Sequence, residues 1–361
     1  MERRVTIRDI AEKAGVHFTT VSMALRNHPR LPRATRARIQ KIAREMGYRP
    51  DAMLAALSSY RVGLIKRRHQ ATLGWINCYP NPQELYEVTL YHDYLLGARA
   101  RAEQLGYTLE EIWLCEPGLT RARVSTILRT RGIQGVIVAP LPRGTDTIDL
   151  LPWNRLSALS LGFSLKKPEL HTVVPMQYHG MRTILRELRE LGYRRIGLVC
   201  EPEFDRRCDG NWQAAFWVDY HGQPEDCRVE PLWHPAGGLT EEAFVSWFRR
   251  YRPDVIVSAR SRISQIPTFL KQMKLSVPKD VGLAHHHVRT GDAVSSGIDE
   301  NGRKIGAAAL DYLVAMLNRQ EFGVPDTPQH LLVEGRWVPG KTVRRQRAAD
   351  GERARKARAF A

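Results

Sequence analysis

The sequence predicts an α/β protein: a small, wholly helical head followed by a larger body built on parallel sheets. Three observations predict this architecture. The chain has 361 residues, which is more than one ordinary domain requires. Its first 50 residues repeat apolar positions with the helical period, whereas the remainder alternates short apolar runs with helical segments. A hydrophobic content of 43% and a charged content of 26% are typical of a globular chain.

The excess positive charge lies at the two ends of the chain. The formal net charge is +17, yet residues 71–340 contain 31 basic and 31 acidic side chains. Residues 1–60 contain 12 basic and 5 acidic side chains, residues 61–70 contain 4 and 0, and residues 341–361 contain 8 and 2. A basic head on a neutral body is typical of a small module that contacts nucleic-acid phosphates. A solubilising tail without function is the alternative for residues 341–361.

Residues 1–49 are predicted to form three helices. Thr6 can cap the first helix, and Gly15 supplies the left-handed stop that ends it. The second helix, about residues 18–25, would bury Val21 and Leu25 and expose Phe18, Thr19, Ser22, Met23 and Arg26. The third, about residues 34–46, carries a cationic outer face. This pattern predicts a helix-turn-helix unit whose second helix enters the major groove of DNA. A core position for Phe18 is the alternative.

The amino-acid sequence of the head resembles that of the lactose-repressor/galactose-repressor family of bacterial transcription regulators. The resemblance rests on A-x-x-A-G-V-x-x-x-T-V-S, which begins at Ala11, and on G-Y-x-P, which begins at Gly47. It implies that Phe18, Thr19 and Met23 read bases, whereas the expected phosphate contacts are Thr6, Thr20, Ser22, Arg26 and Thr35. Many relatives have Arg where Met23 stands. Because Met offers only apolar contact, we expect a different operator half-site.

Residues 50–60 resemble the hinge helix of the family, which forms over the minor groove when two subunits meet. By that resemblance, Leu57 would insert between base steps and bend the duplex. A segment this short is not expected to be helical in isolation, so its folding would accompany DNA binding. An ordinary linker with one buried leucine is the alternative. Residues 61–70 would then form a basic linker to the body.

The body alternates predicted strands with predicted helices. Strands are expected at residues 73–76, 135–139, 196–199 and 255–257, and helices at residues 91–105, 180–191 and 301–317. This alternation predicts βαβ units, parallel sheets covered on both faces, and a ligand crevice at the carboxyl ends of the strands. The resemblance to the family continues here and covers nearly the whole chain. It implies a periplasmic-binding-protein-like body, 71–340, with an N-subdomain (about 71–161 plus 295–320) and a C-subdomain (about 162–294 plus 321–340).

The effector positions of the family fall on altered residues. Arg207 matches the arginine that grips sugar hydroxyls or a carboxylate, whereas Met176, Arg260 and His287 stand where the family has polar acceptors. A cleft with more donors and fewer acceptors predicts an anionic effector, such as a sugar phosphate. A neutral sugar or nucleoside, or no effector at all, remains open.

Other classes of function find little support in the sequence. Three consecutive histidines, 285–287, would alternate faces on a strand, so we expect no metal site. Five cysteines without C-x-x-C spacing predict reduced thiols. No signal peptide or membrane span is evident, and no catalytic or cofactor motif appears, so we expect a cytoplasmic protein without cofactor that is not an enzyme.

The sequence therefore predicts a homodimeric transcription regulator, a repressor and not an activator, that binds a palindromic operator and responds to a small molecule in its cleft. A solute-binding protein and a cleft-bearing α/β enzyme are the rivals. The tail, 341–361, is expected to be disordered, and it lacks the leucine heptads that would indicate a tetramer.

Overall fold

The computed structural model describes residues 5–25, 31–48, 71–258 and 265–346. These residues form a three-helix head and an α/β body with two sheets, which confirms the predicted fold class. The predicted hinge helix (50–60), the basic linker (61–70) and most of the tail lie outside the described residues.

The head contains α1 (Ile7–Ala14), α2 (Phe18–Leu25) and α3 (Arg33–Glu45). Thr6 begins α1 with a capping box, because its hydroxyl accepts from the amide of Asp9 and the Asp9 carboxylate accepts from the amide of Thr6. Gly15 ends α1 in the left-handed conformation, with φ of +64°. Local chemistry thus determines where the first helix begins and ends, as the sequence predicted.

One apolar contact layer holds the three helices together. Ile10 of α1, Val21 of α2 and Ile39 of α3 are fully buried. Two side chains of α3 fix its angle to the other helices: Arg38 donates to the Ala14 carbonyl at 3.2 Å, and Gln40 donates to the Ala24 carbonyl at 2.8 Å. The open carbonyls at the ends of α1 and α2 are satisfied in this way.

The first sheet of the body is entirely parallel. Its strands, in spatial order, are β2 (Tyr107–Trp113), β1 (Ala71–Asn77), β3 (Gly135–Val138), β4 (Ser157–Leu161), β5 (His171–Pro175) and β11 (His330–Val333). Helices α5 (Thr89–Gln104) and α12 (Gly302–Arg319) cover one face, and α6 (Arg121–Thr130) covers the other. A short helix, α4 (Glu84–Glu87), precedes α5.

The second sheet repeats this plan with one antiparallel strand. Its spatial order is β7 (Leu232–Trp233), β6 (Ile196–Cys200), β8 (Val255–Ser258), β9 (Gly282–His285), β10 (Ser296–Asp299) and β12 (Arg336–Val338). Only β12 runs antiparallel to its neighbour. Helices α7 (Gln177–Glu190) and α9 (Asn211–Gly222) cover one face, and α10 (Glu241–Tyr251) and α11 (Gln265–Gln272) cover the other. Helix α8 (Pro202–Arg206) lies between β6 and α9.

Two glycines allow α5 and α12 to pack with their backbones in contact. A Cβ atom on Gly97 would lie 2.0 Å from the Arg303 carbonyl oxygen, and one on Gly306 would lie 1.9 Å from the Tyr94 carbonyl oxygen. No side chain fits at either position. The helix pair therefore forms a rigid wall of the first subdomain.

The chain crosses between the subdomains three times, and the crossings differ from the expected boundaries. Strand β5 belongs to the first sheet, although we expected the C-subdomain to begin at 162; β10 belongs to the second, although residues 295–320 were expected in the N-subdomain. Residues 321–340 divide between the sheets, since β11 joins the first and β12 the second. Which sheet a strand joins depends on the strand that it pairs with, and that strand can be distant in sequence.

Hydrogen bonds join the third crossing to each of the other two. The Met176 amide donates to the Val333 carbonyl at 2.8 Å, and the Asn301 side chain donates to the Glu334 carbonyl at 2.7 Å.

The tail begins later than position 341. Val343 is buried, and the Arg344 amide donates to the Tyr193 hydroxyl at 3.0 Å, so residues 341–346 pack on the second subdomain and are not part of a disordered tail. None of the described helices combines the length and apolar character needed to cross a bilayer.

Candidate functional site

The outer face of α2 displays the side chains expected to read DNA bases. Phe18 is 45% exposed, so it is not a core residue, and Thr19 is exposed beside it. The ring of His17 lies 4.3 Å from the Phe18 ring, and its Nδ1 atom lies 2.9 Å from the Thr19 hydroxyl. These contacts order the beginning of the helix. Met23 is partly buried on the same helix.

The remaining predicted DNA contacts surround this face. Thr6 is exposed, and its hydroxyl forms the cap described above. Thr20, Ser22 and Thr35 are partly buried. The buried positions of α2 are Val21 and Ala24. Leu25, which we expected in the core, packs against that core but is only partly buried. Arg26 and Leu57 lie outside the described residues.

Helix α3 presents a cationic surface to solvent. Exposed basic side chains on it are Arg33, Arg38, Lys41 and Arg44, with Arg36 partly buried. Lys41 lies 3.9 Å from Glu45 in an i,i+4 pair, which is worth a few tenths of a kcal/mol, about 0.3. The surface of α3 retains a net positive charge, and the helix shares the apolar core of the head with α2. Such a surface suits a polyanion.

The second candidate site is the cleft between the two sheets, at the carboxyl ends of their strands. A partly enclosed cavity of about 70 Å³, called the enclosed cavity below, shares part of its lining with an outer groove of about 920 Å³. Residues just beyond the ends of strands line the cavity: Pro140 after β3, Gly162 after β4 and Glu300 after β10. This is where parallel α/β sheets place their ligand sites.

Two arginines connect the subdomains across the cleft. Arg207, the predicted effector contact, donates to the carbonyls of Pro142 (3.2 Å) and Leu141. Arg143 donates to both carboxylate oxygens of Glu201, at 2.6 and 3.1 Å, and the Glu201 side chain is fully buried. The hydrogen bond to Glu201 raises the pKa of Arg143. Both guanidinium groups are thus engaged by the protein itself.

The three consecutive histidines, 285–287, differ in their surroundings. His285 and His287 face the outer groove, and His286 is buried against the Trp212 ring, with centroids 4.3 Å apart. Burial lowers the pKa of His286 to about 3, a nearby His287 adds to this effect, and the Ser258 carbonyl opposes it. His286 is therefore neutral at physiological pH. Within the described ranges, no three His, Cys, Asp or Glu side chains gather into a set that could hold a metal ion.

Glu300 is the acidic side chain of the enclosed cavity. It is only 4% exposed, and its carboxylate lies 3.2 Å from Nδ1 of His287. This close contact does not have the geometry of a hydrogen bond. Among the described residues, both ring nitrogens of His287 lack a hydrogen-bond partner. The cavity thus contains a buried carboxylate and an incompletely satisfied imidazole.

The other two predicted effector positions contribute less. Met176 lines neither the enclosed cavity nor the outer groove, but a void of about 10 Å³ beside them; its neighbours Pro175 and Gln177 line the cavity. Arg260 lies outside the described residues. Sequence reasoning missed Arg143, Glu201, Glu300, Phe204 and Trp212. Position gave a signal for Glu201 and Glu300, since each directly follows a strand.

Comparisons with known sequences agree with the two-part organisation. Residues 6–51 match the family described as bacterial regulatory proteins, lacI family, and residues 185–343 match the periplasmic binding protein-like domain. The HTH-type transcriptional regulator AglR of Rhizobium meliloti (strain 1021) is 26% identical over 206 residues, which are 55% of this chain and 53% of AglR. The HTH-type transcriptional repressor CytR of Escherichia coli (strain K12) is 48% identical over 52 residues, 14% of this chain and 15% of CytR. The matches span about half or less of the length of these relatives.

Solved structures share the fold over most of the chain. A complex of the transcriptional regulator CelR with cellobiose superposes with a TM-score of 0.53 at 18% identity, and covers 94% of this chain and 100% of that one. The lac repressor dimer bound to operator and the anti-inducer ONPF superposes with a TM-score of 0.52 at 17% identity, and covers 94% and 99%. At these identities the likeness establishes the architecture alone.

Proposed function

Because the chain belongs to the lacI family of bacterial regulatory proteins, we propose that it is a sequence-specific, DNA-binding transcription regulator, acting as a repressor in the cytoplasm. The observation that carries the proposal is the exposed face of α2. Phe18 and Thr19 are exposed on a three-helix unit whose helix α3 also presents a cationic surface to solvent. This is the arrangement that a recognition helix requires in a major groove.

The side chains of that face favour readout by apolar contact and by hydroxyl groups. Phe18 and Met23 can pack against thymine methyl groups, and Thr19 can hydrogen-bond to a base edge. The exposed arginines and lysine of α3 would contact phosphates, which adds affinity without sequence preference. The half-site is therefore expected to be richer in A·T pairs than one read by an arginine at position 23.

The protein is proposed to bind as a homodimer to an inverted repeat. One head presents only a single short recognition helix, and two heads held by paired bodies double the contact surface. Specific affinity is expected on the order of 10⁻⁸ to 10⁻¹¹ M and should fall steeply with salt. A small molecule in the cleft would modulate this affinity by binding one arrangement of the subdomains more tightly.

Selection of duplexes from a random pool tests the proposal. The intact protein should enrich an inverted repeat, whereas residues 71–361 alone should enrich nothing. Sedimentation of the complex should give two protein chains per duplex. Enrichment of a motif without twofold symmetry, or equal binding by the truncated chain, would contradict the proposal and leave a solute-binding protein or an enzyme as the better description of the body.

A further inference from the structure

Five large aromatic side chains line the enclosed cavity of the cleft. They are Tyr91, Tyr94, Phe163, Phe204 and Trp212. Phe204 and Trp212 lie 5.1 Å apart between centroids, with planes inclined by 35°, and Tyr91 and Tyr94 lie 5.9 Å apart. Burial raises the pKa of both tyrosines, so neither phenol ionises at neutral pH. Aromatic faces are poor partners for anions and good partners for cations.

Buried contacts fix the position of Trp212. Asp205, itself fully buried, accepts hydrogen bonds from the amides of Trp212 (3.1 Å) and Gln213 (3.4 Å) and so fixes the first turn of α9. The rings of Phe204, Trp212 and His286 contact one another, with centroids 4.3 to 5.7 Å apart. A ring held in this way can present its face to a ligand without losing side-chain entropy on binding.

The arginine donors of the cleft are engaged by the protein itself. Arg207 lines the cavity and keeps its positive charge, but its guanidinium donates to the carbonyls of Leu141 and Pro142. Arg143 pairs with Glu201. Glu300 remains as a buried carboxylate that, among the described residues, has no Lys or Arg within ion-pair distance. Burying an anion without a cation costs several kcal/mol, so a cation delivered by a ligand would relieve that cost.

Several polar groups of the cavity already bond to the protein, which leaves fewer for a polyhydroxyl ligand. A sugar ring needs a donor or acceptor near each hydroxyl, because every buried hydroxyl left unpaired costs free energy. Ser164 accepts from the Leu141 amide at 2.8 Å, Nδ1 of His286 lies 3.1 Å from the Ser258 carbonyl oxygen, and Arg207 donates as described above. Gln177 also lines the cavity, and its buried Oε1 atom has no hydrogen-bond partner among the described residues. An alkylated ammonium ion needs no hydrogen-bond acceptor. It requires aromatic faces and one opposite charge, and the cavity provides both.

We propose that the cleft binds a small organic cation, an alkylated ammonium ion, whose charged group lies between Trp212, Phe204 and the carboxylate of Glu300. This inference rests on the proposed function, since it names the chemical class of the molecule that would modulate DNA binding. It favours a cation over the anion that Arg207, Arg260 and His287 predicted from the sequence. The side-chain oxygen of Gln177 would lie against the alkyl groups of the ammonium ion, which carry part of its positive charge.

Calorimetric titration of the full-length protein tests the proposal with two molecules of the same shape. Choline contains a trimethylammonium group, and 3,3-dimethylbutan-1-ol replaces its nitrogen by carbon. Choline should bind at least about tenfold more tightly than the neutral alcohol, because only the cation is attracted by the aromatic faces and by the opposite charge of Glu300. Cellobiose and glucose 6-phosphate serve as the neutral and anionic competitors.

Matched variants distinguish the effect of the buried Glu300 carboxylate on choline affinity from the effect of the protein's overall electrostatic field. Glu300→Gln should weaken choline about tenfold or more and leave the alcohol unchanged. Glu84→Gln removes an exposed acid that lines only the outer groove, and should alter choline binding less than about twofold. Phe204→Leu removes one aromatic face and should weaken choline alone, which keeps the test decisive if Glu300→Gln does not fold.

Several results would overturn the inference: equal binding of choline and the alcohol, unchanged choline binding by Glu300→Gln, binding of cellobiose or glucose 6-phosphate in place of any ammonium ion, or no heat with choline and tetramethylammonium at millimolar concentration. Operator binding is measured separately by fluorescence anisotropy. Loss of cation binding with intact operator binding rejects this inference alone. Cation binding by a protein that selects no operator rejects the proposed function.

Discussion

The ion pair between Arg143 and Glu201 should hold the two subdomains together measurably. Arg143 follows β3 of the first sheet, Glu201 follows β6 of the second, and two hydrogen bonds join them. Removing one partner of a fully buried pair costs about 3 to 5 kcal/mol, whereas exposed pairs contribute about 1 kcal/mol or less. The Glu201 side chain is 0% exposed and that of Arg143 is 42% exposed, so water screens one partner only. We expect Arg143→Ala to lower the free energy of unfolding by about 2 kcal/mol.

Urea denaturation at neutral pH, followed by tryptophan fluorescence, measures this loss. Arg186→Ala is the matched control. Its guanidinium pairs with Glu187 and Glu190 on the surface and is 61% exposed, so it should cost less than about 0.5 kcal/mol. Adding Arg143→Ala to Glu201→Gln should cost little more than Glu201→Gln alone, because the buried charge is already gone. The reasoning fails if Arg143→Ala is no more destabilising than Arg186→Ala.

Four further expectations concern other parts of the molecule. Thr6→Ala removes the cap of α1 and should cost about 1 kcal/mol, seen as faster hydrogen exchange in the head. Gly97→Ala forces α5 from α12 and should cost about 3 kcal/mol in thermal denaturation, whereas Gly222→Ala, with open space around it, should change stability by less than about 0.5. Folding lowers the pKa of His286 to about 3, so the unfolded chain binds the proton first as the pH falls, and stability declines from about pH 6.5 downward. Between pH 7 and pH 5 the loss should be about 2 kcal/mol, and His286→Asn should remove it. Met23→Arg should shift the selected half-site towards guanine, and an unchanged half-site would exclude Met23 from the contact surface.

The head could be predicted almost residue by residue because its signals are local. Thr6, Asp9 and Gly15 act within one or two turns of α1, and the apolar period of α2 depends only on that helix. The exposed Phe18 could be inferred for the same reason. Once Val21 and Ala24 face inward, a residue three places before Val21 lies at the edge of the buried stripe and can remain in solvent.

The body could be predicted only in part because its decisive contacts are distant in sequence. The strands were evident as apolar runs, yet β5 and β10 each joined the sheet opposite to the one expected. The cleft shows the same limit. Arg207 lies there, but its guanidinium is turned to the carbonyls of residues 141 and 142, some 65 positions earlier in the chain. The residue types of the cleft suggested free positive charge, yet the donors of Arg143 and Arg207 are engaged by the protein, and a buried carboxylate, Glu300, lines the same cavity as Arg207.

Glu300 stands where a ligand could influence the whole body. It lies in the second crossing between the subdomains, next to Asn301, whose side chain donates to the Glu334 carbonyl of the third crossing. A cation bound to Glu300 would also touch Phe204 and Trp212 of the second subdomain and Tyr91 of the first. Such a ligand gains contacts only when both walls are present, so it favours the closed arrangement by differential affinity. The Arg143–Glu201 pair favours closure without occupying that cavity. Its loss would therefore weaken the ligand by reducing the closed fraction, whereas loss of Glu300 would weaken the contact itself.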